Sequence, residues 1–332
     1  MTQTPNPLPA TDLSVIVVSF NTREILRACL QRLFDVSEGV RLQVIVVDNA
    51  SRDQSADMVA ADFPEILLIR SNTNLGFAAA NNLGFRQAVG QHVLLLNPDA
   101  LLEPGSLQRA LQYMAADPQI GMGGARLLDQ TGQQQPSARM FPSLLNEALV
   151  LSGLAARFPQ SRFFGRFDRT WDDSGQAVAV DWVPGAFALM RRDALEAVGH
   201  FDERFFLYYE EVDLCRRFHE RGWKIVYWPD VVVRHWGGES SKTVENQDFS
   251  SSGSQLTLWR MRSQLLYYRK HHGRTVARLV AGLESGWHRL RAWRARRQGQ
   301  LAKAQGSDRV VALMRQAWLE TGGGLNSPPR PW

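Results

Sequence analysis

The densest chemistry in the chain lies between Phe201 and Leu214 (FDERFFLYYEEVDL), where Asp202, Glu203, Glu210, Glu211 and Asp213 sit among eight aromatic or aliphatic residues. Carboxylates crowded together beside apolar rings repel and desolvate one another, which raises a pKa and makes a usable general base. A solvated helix start would also explain Glu210 and Glu211, because anions favour a helix N-terminus. The surrounding rings argue against that plainer role. Asp99 closes the run VLLLNPD, and a carboxylate there suits a hard cation, Mg²⁺ or Mn²⁺, bridging two phosphates. Capping the next helix is the competing role. Asp48 follows a second apolar run and can accept a hydrogen bond from a pyrimidine imide or a ribose hydroxyl, although an N-cap cluster around Ser51 accounts for the pattern as well. Asn74 and Gly76 stand between a strand and a helix, where glycine lets a ligand approach the backbone and the helix N-terminus favours phosphate. A helix-entry turn without ligand fits them nearly as well. His235 ends VVVRH beside Gly237 and Gly238, and a histidine at a strand tip next to a glycine loop is a ligand candidate.

These residues need elements to hold them. Leu13–Phe20, Leu42–Val47, Ile66–Ile69 and His92–Leu96 are short apolar, β-branched runs, as strands buried on both faces should be. Helical spacing fills the gaps, over 24–34, from an N-cap at Ser51 through Ala61, and over 78–89. Alternating strands and helices predict an α/β fold with a mostly parallel central sheet, whose ligands gather at the carboxyl ends of the strands. Asp48 and Asp99 occupy those ends. A helix follows Gly105, a glycine-rich turn is expected at Gly121, Gly123 and Gly124, and 129–176 reads as loops and short helices. Strands are expected at 178–182, 187–190, 224–227 and 231–234, with helices at 194–198 and 212–221. From Ser254 the pattern is helical, with a stop at Gly273, a second helix beyond it and a Gly/Pro-rich, frayed end from Thr321.

With 44% hydrophobic and 21% charged residues the chain has globular composition, and two cysteines exclude both a disulfide scaffold and a cysteine zinc site. The polar N-terminus lacks a secretory pattern and no apolar run approaches the roughly 20 residues that span a bilayer, so a cytoplasmic location is expected. The net charge of +5 conceals an asymmetry: from Arg260 onward 15 Lys+Arg face three acids, a balance of +12, which leaves −7 for positions 1–259.

Read together, the motifs resemble bacterial family-2 glycosyltransferases of the GT-A fold, and most closely the rhamnosyltransferase-like branch. The matching stretches are VIVVSFN (15–21), VIVVDNASRD (44–53), NTNLGFAAANNLG (72–84), LLLNPDA (94–100), WVPGAFALMRRDAL (182–195), GHFDERFFLYYEEVDLCRR (199–217) and GWKIVYWPDVVVRHWGGES (222–240), all in the family's order. The resemblance implies an inverting, metal-dependent transfer from a nucleoside-diphosphate sugar, with L-rhamnose from dTDP-rhamnose as the first donor, to a glycan or lipid-linked acceptor in surface-polysaccharide assembly. It implies that Asp48 contacts the base with Ser19 and Asn21 nearby. Asn97 and Asp99 match the family's DxD motif, Asn97 replacing its first acid, so that Asp99 holds the metal, joined by His235. Glu211 matches the general base beside Glu210, with Asp213 as a supporting group. Trp182, Gly185, Asp202 and Tyr209 fall in the acceptor-facing stretches. A UDP-hexose or furanose donor, or a catalytically silent nucleotide-sugar or glycan-binding homologue, is the alternative.

The expected organisation is a loose segment at 1–12, a catalytic domain at 13–240 divided into a nucleotide-sugar half (13–105) and an acceptor half (106–240), a basic helical extension at 241–320 and a flexible tail at 321–332. The basic, aromatic-edged helices at 254–297 suit peripheral contact with an anionic membrane on its inner, cytoplasmic face. An ordinary helical pair packed on the domain is the other reading. No nucleic-acid partner is expected, since no binding module accompanies the charge.

Overall fold

The computed structural model describes residues 11–172, 175–236 and 254–330. Residues 237–253, with Gly237 and Gly238 and the start of the basic extension, lie outside the described residues.

The first half follows the alternation of its sequence: β1 (Leu13–Ser19), α1 (Arg23–Asp35), β2 (Leu42–Asp48), α2 (Ser55–Asp62), β3 (Leu67–Arg70), α3 (Phe77–Phe85), β4 (His92–Leu96), β5 (Ala100–Leu102) and α4 (Ser106–Ala116). There follow β6 (Ile120–Leu128), β7 (Gln134–Gln135), α5 (Leu144–Leu151), α6 (Leu154–Arg157), β8 (Val178–Ala179), β9 (Phe187–Arg191), α7 (Arg192–Val198), α8 (Glu210–Glu220) and β10 (Lys224–His235). Two long helices, α9 (Ser254–Arg297) and α10 (Leu301–Glu320), close the described chain.

The sheet order is β3-β2-β1-β4-β9-β6-β10-β5. Pairing is parallel across β3-β2-β1-β4, and mixed beyond, because β9 runs antiparallel to both β4 and β6. Register aligns Ser19 with Asp48 and Asp48 with Arg70, so the polar strand ends share one edge. The pleat divides the apolar runs between the two faces. Val15, Val17, Val44, Val46 and Leu94 pack with α1, α2 and α4, whereas Ile16, Ile45, Val47, Val93 and Leu95 pack with α3, α8 and α9. That continuous burial is why the strands read as unbroken hydrophobic runs.

Several local expectations give way to tertiary structure. Gly121, Gly123 and Gly124 lie inside β6 rather than in a turn. A Cβ at Gly123 would enter the Trp228 ring, and those at Gly121 and Gly124 would press on Phe218 and Val183, so these glycines clear space for large neighbours. Ser51 does not cap α2, which begins four residues later; its hydroxyl accepts from the Asn21 amide (3.0 Å), and Asp53 accepts from the Ser55 amide (3.0 Å). Lys224–His235 is one strand whose pairing shifts between Trp228 and Val232, not two.

The basic extension packs on the catalytic domain. Gly273 (φ 82°, ψ 176°) is non-helical, so α9 consists of two helical segments that meet at a kink there, at the stop expected from the sequence. Before the kink, Trp259, Tyr267 and Tyr268 are buried, Trp259 stacks on Phe206 with ring centroids 4.3 Å apart, and the Ser263 hydroxyl donates to the Leu207 carbonyl (2.8 Å). The opposite face, with Leu258, Met261 and Leu265, meets Met314 and Ala317 of α10. Ion pairs Arg262–Glu320 and Arg296–Asp308 tie the two helices at both ends of a hairpin. Beyond α10, Thr321 is fully buried and Gly324 lies against the Leu265 backbone. Among the described residues no helix is long and apolar enough to cross a membrane.

Candidate active site

The carboxyl edge of β1, β2 and β3 carries the polar residues of the first half. Ser19 is buried and its hydroxyl lies 3.0 Å from that of Thr22. Asn21, in the left-handed region (φ 53°), accepts from the Arg52 amide through Oδ1 (2.7 Å). Asp48 is buried; one oxygen accepts from the Ser51 amide (3.2 Å), and the other has no hydrogen-bond partner. A buried carboxylate oxygen left unpaired is costly, which marks this edge as a place where a ligand donor would be welcome. Asn49, to which the sequence reading gave no role, braces the next loop: its Nδ2 donates to Asn74 Oδ1 (2.9 Å) and its Oδ1 accepts from the Leu75 amide (2.8 Å). Asn74 Oδ1 also accepts from the Gly76 amide (2.9 Å). Gly76 has φ 83°, and a Cβ there would collide with the Phe206 carbonyl. Only glycine permits that approach. The Phe77 amide then donates to Phe206 (2.8 Å), and Asn82 Nδ2 donates to the Phe201 carbonyl (3.0 Å). These bonds join the loop between β3 and α3 to the segment that bears the acids.

At the end of β4 the structure brings Asn97, Asp99 and His235 together, since β10 returns antiparallel to β5 and pairs His235 with Ala100. His235 Nε2 lies 3.4 Å from Asp99 Oδ1 and 3.3 Å from Asn97 Nδ2. Gln135 on β7 completes the group. Its Oε1 is 2.8 Å from His235 Nδ1, and its Nε2 donates to the His235 carbonyl (3.0 Å). With Gln135 oriented by that second bond, Nδ1–H donates, which in the neutral ring leaves the lone pair on Nε2. A lone pair facing a carboxylate at 3.4 Å is a donor pair that a cation would relieve, and a fixed outer partner on the other ring nitrogen is how ligating histidines are held. Asp99 and His235 therefore fit a divalent cation as two protein donors. No cluster of three or more His, Cys, Asp or Glu able to hold a metal occurs among the described residues, so further ligands would come from water and substrate oxygens. Gln135 sits in a Gln/Ser-rich stretch with no periodic signal, which is why the sequence did not mark it.

The acids open α8. Tyr208 (φ 70°) and Tyr209 (φ 68°) are consecutive left-handed residues immediately before it, a strained arrangement of about 1–3 kcal/mol per residue. Glu210 is 4% exposed and Glu211 half-buried, and in each Oε2 is enclosed without a hydrogen-bond partner. Burial and the adjacent Glu211 push the Glu210 carboxyl well above the ordinary glutamate range. Burial also raises Glu211, against backbone hydrogen bonds and the positive charge of Arg139. Arg139, also unmarked by the sequence, lies over the Trp182 ring at 4.4 Å and pairs with Asp168. The Trp182 indole donates to the Met140 carbonyl (2.8 Å), and Gly185 lies against Phe77.

Asp213, expected as a supporting group, and the two other acceptor-side candidates, Asp202 and Tyr209, are engaged elsewhere. Asp213 is fully buried and bonded to Arg217 (2.9 Å), Lys270 (2.7 Å) and His271 (2.7 Å). Burial would raise its pKa, but the His271 hydrogen bond and the two cations outweigh that and hold it below the usual aspartate value. Asp202 pairs with Arg204 (2.6 Å) and with the same Lys270 (2.9 Å). The Tyr209 hydroxyl lies 3.5 Å from Glu147 Oε1, which also accepts from the Tyr268 hydroxyl of α9 (3.1 Å).

A parallel β3-β2-β1-β4 half continued by strands of mixed direction, with helices on both faces, is the GT-A glycosyltransferase architecture. Among solved structures the chain is similar to the mannosyltransferase PcManGT from Pyrobaculum calidifontis in complex with GDP-Man and Mn²⁺, at TM-score 0.52 and 19% identity over 97% of this chain and 82% of that one. Residues 9–254 match the family described as "Glycosyltransferase like family 2", and the chain belongs to that family. It is 31% identical to the N-acetylglucosaminyl-diphospho-decaprenol L-rhamnosyltransferase of Mycobacterium tuberculosis, over 69% of this chain and 77% of that protein. It is 22% identical to the rhamnosyltransferase WbbL of Escherichia coli, over 76% and 91%. The protein is thus a glycosyltransferase of the rhamnosyltransferase-like kind.

Proposed function

We propose that the protein transfers L-rhamnose from dTDP-rhamnose, with inversion, to a hydroxyl of a lipid-linked glycan during surface-polysaccharide assembly on the cytoplasmic side of the membrane. The observation that carries the catalytic part is the pair of enclosed, unpartnered carboxyl oxygens at Glu210 and Glu211. Burial and mutual repulsion oppose ionisation of both carboxyls at once, and the positive charge of Arg139 favours Glu211 as the one that ionises and takes the proton of the acceptor hydroxyl. The hydroxyl then attacks the anomeric carbon opposite the diphosphate, and one displacement inverts the centre. No second nucleophilic carboxylate is needed, in contrast to a retaining glycosidase.

On the donor side, Asp48 with Ser19 and Asn21 receives the nucleoside, and Asn74 and Gly76 flank it. Asp99 and His235 would hold Mg²⁺ or Mn²⁺, with Asn97 beside them, and the cation when bound supplies positive charge for the diphosphate leaving group. Trp182, with Gly185 three residues further on, serves the acceptor. The rhamnosyl group of this reading follows the names of both relatives and the lipid-linked acceptor that of the Mycobacterium tuberculosis protein, whereas the dTDP carrier follows the sequence resemblance.

Glu211→Gln is the test. It should lower transfer about 10²- to 10⁴-fold while thermal stabilisation by dTDP-rhamnose with Mn²⁺ persists. Retained activity would remove the base from Glu211. A thermal-shift screen across dTDP, UDP and GDP sugars, each with and without Mn²⁺, reads the donor directly by mass action, and stabilisation by a UDP-hexose instead would replace rhamnose.

The proposal includes peripheral contact of 254–297 with an anionic membrane. Because Trp259, Tyr267 and Tyr268 are buried, that contact falls to the exposed arginines past the kink, Arg274, Arg278, Arg289, Arg291, Arg294 and Arg297.

A further inference from the structure

An apolar surface lies outside the donor and acid clusters, between the end of α5 and Phe164. Phe158 is 44% exposed and Phe163 51% exposed, and Val150 on α5 is exposed beside them in sequence. The three rings of Phe158, Phe163 and Phe164 form a cluster, with centroids 5.2 Å apart for Phe158–Phe164 and 5.2 Å for Phe163–Phe164. The loop presenting them is tied down by its own bonds. Ser161 Oγ accepts from the amides of Phe163 and Phe164 (3.3 Å each), the Gly165 amide donates to the Ser161 carbonyl (2.8 Å), and the Thr170 hydroxyl donates to Pro159 (2.7 Å). A rigid loop that holds aromatic rings half in water shows them to something other than its own core.

The charge around the rings selects the partner. Between Glu147 and Asp168 the sequence carries Arg157, Arg162 and Arg166 and no acid. Aromatic rings able to enter an acyl layer, edged by arginines able to meet headgroup phosphates, match an anionic lipid surface. The same α5 carries Glu147, whose hydrogen bond to Tyr209 (3.5 Å) reaches the residue immediately before Glu210. Through α5, the segment that leads into the patch is thus tied to the residue before the helix of acids.

We infer that Phe158 and Phe163, with Arg157 and Arg162, seat the acceptor half on an anionic lipid layer, so that a lipid-linked hydroxyl is presented from the membrane toward Glu211. The inference rests on the lipid-linked acceptor of the proposed function. It assigns the bilayer contact to a second place, distinct from the arginines of α9.

Cys29 and Cys215 are both buried, so a cysteine at 163 can be labelled selectively with an environment-sensitive dye. The full-length Phe163→Cys protein is mixed with vesicles of phosphatidylglycerol and phosphatidylethanolamine, and separately with neutral phosphatidylcholine. A blue shift on the anionic vesicles only is expected. Phe158→Ser/Phe163→Ser should weaken co-sedimentation about tenfold or more, in line with two aromatic side chains losing their apolar seat, with the melting temperature unchanged. A dye that stays in water while the protein sediments would overturn the inference. So would self-association that the double substitution abolishes, because the patch would then seat a second copy of the chain. Stabilisation by dTDP-rhamnose is read on the same samples. Its loss would strike the donor reading, whereas its persistence with no vesicle response would strike the lipid seat alone.

Discussion

At the residue scale, the site depends on carboxyl groups that are given few partners. Burial lifts Glu211 and, more strongly, Glu210. As the proposed base, Glu211 must be ionised to act, so the acid limb of kcat should fall above the ordinary glutamate pKa of about 4.3, with activity rising through it as pH rises. Replacing Arg139 with Gln removes a cation that now lowers Glu211, and the limb should move further up in a pH–rate profile. Glu210 has a stability consequence of defined sign. An acid whose folded pKa exceeds its unfolded value contributes stability that is present below the unfolded pKa and lost as pH rises through the folded one. Glu210→Gln should therefore raise the melting temperature at neutral pH, and the gain should shrink toward pH 4. A variant less stable than the parent at pH 8 would contradict this.

At the element scale, α8 is held by its far side. Asp213 binds Arg217 within the helix and Lys270 and His271 from α9, and Lys270 also holds Asp202 at the start of the acidic segment. Asp213→Asn leaves those cations without their buried partner and should cost about 3–5 kcal/mol in denaturant unfolding at pH 7. Because the Asp213 pKa is lowered, its contribution is present above the unfolded value and is lost as pH falls through the folded one. The gap to wild type should thus close only in the strongly acid range, below the ordinary aspartate pKa. In β6 the constraint is volume. Gly123→Ala forces a methyl into the Trp228 ring and should cost about 1–3 kcal/mol, measured by the same unfolding curves.

At the scale of the whole molecule, the C-terminal helices belong to the catalytic body although their composition sets them apart. Removing residues from Ser254 onward would uncover Phe206, Tyr209 and the groups packed on Tyr267 and Tyr268. Such a truncation should aggregate or melt far below the full chain in a thermal scan. A truncated protein with an unchanged melting temperature would mean that α9 contributes little to the domain.

The sequence by itself determined the order of strands and helices in the first half, the placing of Asp48 and Asp99 at strand ends, and the family. It could do so because those features are local: a buried strand declares itself within six or seven residues, and its end is where polarity returns. The tertiary structure alone decided that Gln135 fixes the ring of His235 across 100 positions and that His271 meets Asp213 across 58. It also decided that Gly121 to Gly124 lie within a strand and that the basic helix buries Trp259, Tyr267 and Tyr268. Local periodicity says which face of an element is apolar, but not which distant surface will cover that face. Volume, charge and hydrogen-bond geometry are satisfied only once the two surfaces meet.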